Sequence, residues 1–163
     1  MKQRGVKSRA WRLAVPVSLL AACSHEPPTV GADVAFAQVC NKANEGKRVA
    51  VVGYLRLPAR LKSNDTSPML RFYDGAAFDT RHIIVSVPVG RGPNQVENPL
   101  SRAADGSLRY SDEDLKVHLA NSAVATVGTK VKVSGEMYIP MVPQTGPDGF
   151  ACGLTNPLIE SAP

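Results

Sequence analysis

From Arg48 onward the chain reads as short strands with apolar residues recurring at every second position, and that spacing favours a fold built mainly from β-strands. Arg48 to Leu57 alternates through Val49, Val51, Gly53 and Leu55, and Pro58 ends the run. Leu70, Phe72 and Tyr73 lead into Asp74-Gly75, a hairpin-turn pair. His82 to Val89 sends Ile83, Val85, Val87 and Val89 one way and Ile84, Ser86 and Pro88 the other. Val131 and Val133 alternate with Lys130, Lys132 and Ser134 before Gly135, and Phe150 to Ile159 gives a last strand interrupted by Pro157. Ser111-Asp112-Glu113-Asp114 has the form of a capping box opening a helix. Leu115, Val117 and Leu119 alternate strictly with Lys116 and His118, however, and this favours a strand there.

One helix is expected. Asp33 suits an N-cap, Phe36, Val39, Cys40 and Ala43 recur at helical spacing, and Gly46 is placed to stop it. Residues 33–45 therefore read as a short amphipathic helix with Cys40 on its apolar face. Residues 90–111 and Tyr138 to Gly149 read as long polar loops rich in Pro and Gly, of the kind that carries function in small domains.

The first 22 residues belong to a different kind of segment. Lys2, Arg4, Lys7, Arg9 and Arg12 precede the apolar run Leu13–Ala22, as in a secretory signal. A helix of that length spans about 15 Å, half of a bilayer core of ~30 Å. Leu20-Ala21-Ala22-Cys23 resembles the lipobox of bacterial lipoproteins. The resemblance implies cleavage before Cys23, a diacylglycerol on its thiol and palmitate-type acyl chains that hold the protein on a membrane. Ser24 at the next position favours the outer membrane, with the domain facing the periplasm. Ser24 to Ala32, with Pro27, Pro28 and Gly31, reads as a tether. The organisation expected is a leader over 1–22, lipidated cysteine and tether over 23–32, and one domain over 33–163.

Without the leader the charge changes meaning. The formal net charge of +5 comes wholly from the five leader cations, so the rest of the chain holds 14 Lys and Arg against 14 Asp and Glu. The nucleic-acid reading that a high isoelectric point invites loses its basis. Cys23 being lipidated, Cys40 and Cys152 remain as an even pair in an oxidising compartment, and a disulfide is expected. No cysteine or histidine stands at zinc-ligand spacing, so no metal or cofactor is expected.

An N-terminal helix followed by five or six strands in about 110 residues suits a small barrel. The stretch Cys40-Asn41-Lys42-Ala43-Asn44-Glu45-Gly46-Lys47-Arg48-Val49-Ala50-Val51-Val52-Gly53 resembles the opening of OB-fold domains of the tRNA-anticodon-binding-like group. Lys130-Val131-Lys132-Val133-Ser134-Gly135-Glu136 is similar to their later barrel strand, and Cys152-Gly153-Leu154 through Ile159-Glu160 to the closing one. The resemblance implies an all-β, OB-like barrel with bends at Gly53 and Gly135. It also implies a ligand face on the second and third strands and the adjoining loops.

On that face the sequence offers Arg56, Arg71, Phe72, Tyr73 and Arg81 as candidate binding residues. Cations interleaved with aromatics suit single-stranded nucleic acid. Solvated cations over core aromatics fit the same residues, and Asp65, Asp74 and Asp79 among them favour that simpler arrangement. His82 and His118 lack an evident catalytic partner, and no nucleophile, acid–base or metal motif stands out. The expected function is that of a non-catalytic envelope lipoprotein, a binding module with a protein partner. Inhibition of an envelope-targeting toxin, and binding of single-stranded nucleic acid or oligosaccharide, are the alternatives.

Overall fold

The structure, a computed structural model, describes residues 28–142, 144–146 and 149–163. The leader and Cys23 lie outside the described residues. Eleven strands follow in order: β1 (Ala32–Asp33), β2 (Arg48–Arg56), β3 (Met69–Tyr73), β4 (His82–Ser86), β5 (Gln95–Val96), β6 (Ser101–Arg102), β7 (Leu108–Arg109), β8 (Val117–His118), β9 (Val124–Ala125), β10 (Lys130–Tyr138) and β11 (Gly153–Ser161).

Five of them close a barrel. β2 pairs antiparallel with β10 on one side and with β3 on the other, β3 with β4, and β10 with β11. The parallel pairing of β11 with β4 completes the ring β2-β10-β11-β4-β3, and β1 adds a sixth strand alongside β2. This is a small OB-like barrel, as the strand pattern predicts.

Alternation places Val49, Val51 and Leu55 of β2 inside, with Leu70 and Phe72 of β3, Ile83 and Val85 of β4, and Val131, Val133 and Met137 of β10. Gly53 has no room for a side chain, because a Cβ there would stand 2.3 Å from the Tyr73 carbonyl oxygen. That close approach lets β2 bend toward β3. In β10 the register against β11 shifts between Ser134 and Glu136, which puts a bulge at Gly135.

The helix expected over 33–45 does not form. Asp33 lies in β1, and its carboxylate is 2.6 Å from Lys132 Nζ instead of capping a helix. Phe36–Gln38 and Lys42–Asn44 are separate 3₁₀ turns. Asn41 between them takes extended backbone (φ −66°, ψ 133°) and accepts a hydrogen bond from Ala43 N–H on its own side chain. An Asn that caps locally interrupts a helical stripe. Gly46 does end the segment, at φ 71°. Barrel contacts also begin before residue 33: Arg48 donates to the carbonyls of Thr29, Asn156 and Ser134, and Gly31 lies directly against the Val49 backbone.

The loop expected over 90–111 is in fact part of a folded excursion between β4 and β10. β5, β8 and β9 form a three-stranded sheet, and β6 pairs with β7. Leu115, Val117 and Leu119 are buried, in keeping with the strand period, and join Val96 and Ala125 in the barrel core. Asn94, at φ 60°, ties the excursion to the barrel by accepting from Ile159 N–H at 2.7 Å. His118 Nε2 meets Glu97 Oε1 at 3.0 Å. At the opposite end Phe36 packs on Phe72 (5.7 Å between centroids), and Cys40 is bonded to Cys152 across 112 positions.

Two outcomes follow for stability. Closing so long a loop stabilises by about 4–5 kcal/mol on the chain-entropy account. The double substitution Cys40→Ala/Cys152→Ala should lose about that much, read by urea unfolding, and reductant should shift the parent protein alone. The Glu97 carboxyl is held below its ordinary value of 4.5, chiefly by the His118 hydrogen bond, with desolvation opposing and Arg91 and Lys116 assisting. A depressed carboxyl stabilises the fold above its unfolded value and loses that contribution as pH falls through the folded one. Thermal stability should therefore drop below pH 4.5, and Glu97→Gln should flatten part of that drop.

Candidate functional site

The face expected to bind ligand is largely occupied by the protein itself. Arg56 and Arg71 stand opposite each other on β2 and β3, facing outward. Arg56 Nε lies 2.5 Å from Asp112 Oδ2, and its guanidinium sits 5.1 Å from the centroid of Phe78. Arg71 donates from Nε and Nη2 to the Leu57 carbonyl, at 2.8 and 2.5 Å. Tyr110 of the excursion donates to the Pro58 carbonyl at 2.9 Å, and a recess of about 440 Å³ remains between this segment and Arg71.

The aromatics of that face are corrected by the structure. Phe72 points into the core and is fully buried, so it offers no stacking surface. Tyr73 is 4% exposed, packed edge-on by Phe78 at 5.2 Å and against His82 at 5.2 Å. Phe78 reaches its place because the segment between β3 and β4 is longer than a two-residue hairpin, with Phe78 at φ 56°. The arrangement is that of solvated or ion-paired cations over packed aromatics. Of the five candidates, only Arg81 is exposed.

Arg81 borders a larger groove, of about 840 Å³. Three stretches far apart in sequence build it: the N-terminal turn with Phe36 and Cys40, the β3–β4 connection with Asp74, Thr80 and Arg81, and the β10–β11 connection with Gln144, Thr145 and Phe150. The Cys40–Cys152 bond joins the first of these to the third. Phe150 also meets Tyr138 edge-on at 6.4 Å. Tyr138 lies across β11 because residue 153 is glycine: a Cβ there would stand 2.7 Å from the Tyr138 ring and from Ile84 Cγ1. Burial pushes the Tyr138 phenol above its ordinary 10.0.

Chemically the groove has aromatic and aliphatic walls, one cation at Arg81, one carboxylate at Asp74, and a rim of amide and hydroxyl groups. Such a lining suits shape-selective binding with a few orienting polar contacts. Among the described residues, no group of three or more His, Cys, Asp or Glu is placed to hold a metal ion. No described helix is long and apolar enough to cross a membrane. Sequence spacing singled out the Tyr138–Gly149 loop but missed Phe36, Thr80 and Phe150, whose convergence depends on barrel closure and the disulfide. No protein family, curated protein or solved structure matches this chain.

The self-covered face has its own test. Ion pairs that are partly exposed contribute up to about 1 kcal/mol. Asp112→Ala should leave global stability nearly unchanged yet free the excursion locally, seen as faster amide exchange over residues 108–114 and earlier proteolysis there.

Proposed function

We propose that this chain is a non-catalytic lipoprotein of a bacterial envelope, acylated at Cys23 and held on the periplasmic side of the outer membrane. Its OB-like barrel serves as a binding module for an envelope protein. The groove carries this reading: three segments, two of them covalently joined, present aromatic walls and an orienting cation where a loop or helix of another protein fits. The leader, with its basic start and Leu20-Ala21-Ala22-Cys23, supports the location. The oxidising compartment so implied agrees with a disulfide across the barrel.

Two observations weigh against nucleic acid as the ligand. The charge beyond the leader balances to zero, and the cations nearest the outer face, Arg56 and Arg71, are already engaged by Asp112 and the Leu57 carbonyl. Strand-tracking proteins instead present free cations beside exposed aromatics.

A photoreactive amino acid in place of exposed Thr80, in the membrane-anchored protein in its native host, should give one dominant protein adduct on irradiation. The same group in place of Met69, remote from the groove on the β3 edge, should give none. Arg81→Glu should cut the Thr80 adduct about fivefold or more, the loss expected from one interfacial contact of about 1 kcal/mol. A secreted toxin as the adduct would make the protein an inhibitor. Absence of any protein adduct from a folded, anchored protein would overturn the reading.

A further inference from the structure

The described chain exposes six large apolar side chains, and three of them lie on segments that adjoin the Lys47 end of β2. Met141 is completely exposed, Val142 is 66% exposed, and Val30 is 58% exposed. The strand register gives the course of these segments. β1 runs parallel to β2 with Ala32 opposite Val49, so Val30 enters beside Lys47. Met137 is hydrogen-bonded to both Gly46 and Lys47 at 2.9 Å, and Met141 lies four residues further, within about 14 Å of chain. Met141 and Val142 sit on the connection from β10 to β11, whose far side lines the groove.

The first described residues of the chain stand at this same end. Thr29 is fastened there by Arg48, and six positions separate it from Cys23, a reach of about 20 Å when fully extended. A lipid on Cys23 therefore cannot hold the barrel far from the membrane. We infer that this end faces the bilayer and that Met141 and Val142 enter its interfacial layer as a second attachment beside the lipid. The inference rests on the proposed acylation of Cys23. Its physical basis is that apolar side chains on an exposed tip lose their contact with water at the acyl boundary. Exposed Lys42 and Lys47 stand at the same end and suit an anionic headgroup layer, with Glu45 between them. A barrel held by two points has a restricted orientation, and the groove then opens beside the membrane surface.

The test uses the full-length acylated protein carrying Val142→Cys, labelled with an environment-sensitive dye and reconstituted into phosphatidylethanolamine/phosphatidylglycerol vesicles. A parallel sample carries the dye at Val124→Cys, on the excursion. Blue-shifted emission at 142, quenched by spin-labelled lipid and absent at 124, is expected. Met141→Asp in the labelled 142 protein should abolish the shift while the protein still floats with the vesicles. Acylated, vesicle-bound protein whose dye at 142 stays in water overturns the inference and leaves the anchor intact. Dye shielded in native membranes but not in pure vesicles also overturns it, in favour of a protein covering the tip. A chain that mass analysis finds unacylated, behaving like Cys23→Ala, removes the anchor and the inference together.

Discussion

The barrel depends on one strand serving two neighbours. β2 pairs with β10 from Arg48 to Tyr54 and with β3 from Tyr54 to Arg56, so the ring closes only if β2 bends where the pairings meet. Gly53 sits at that point, and the Tyr73 carbonyl occupies the space a side chain would need. A strand shared in this way joins the two halves of the sheet, so neither half is an open sheet on its own. The glycine is therefore a condition for closure, and closure creates the single interior into which Val51, Phe72, Val85, Val133 and Leu154 point.

The two ends of the barrel are finished by different means. At one end the excursion supplies Val96, Leu115, Val117 and Leu119 as a plug made of very short strands. Two-residue strands contribute little pairing of their own. Their order comes from apolar burial and from tertiary ties such as Asn94 to Ile159 and Glu97 to His118. At the other end two 3₁₀ turns, each too short to be stable alone, are fixed by Phe36 on Phe72 and by the disulfide. Each cap thus takes its conformation from contacts with the barrel more than from local propensity.

This division explains what was legible in the sequence. β2, β10 and β11 are nine residues each, long enough for period-two alternation to stand out, and the three stretches that suggested an OB-like domain lie wholly or partly on them. The pairing of Cys40 with Cys152 was legible by parity. The helix over 33–45 was misread because spacing cannot register that Asn41 caps its own turn. The strands β5, β6 and β7 within 90–111 left no periodic trace, since two residues do not define a period. On the outer face the simpler reading, cations over core aromatics, is the one the strand geometry favours: adjacent residues in a strand point to opposite sides, so Arg71 and Phe72 do not share a surface. That Asp112 engages Arg56, across 56 positions, is a tertiary fact without a local signal.

The disulfide also decides how the protein bears load. Tension entering at residue 28 travels along the backbone to Cys40 and passes directly to Cys152, bypassing the 112-position span between them. A pull along the chain from both sides of the bridge can lengthen only the stretches outside it, β1 and β11 among them. The strands β2, β3, β4 and β10 lie within the bridged span and are spared any end-to-end stretching force while the bond is intact. The linkage that stabilises the barrel at rest thus also shields four of its five ring strands from tension along the chain.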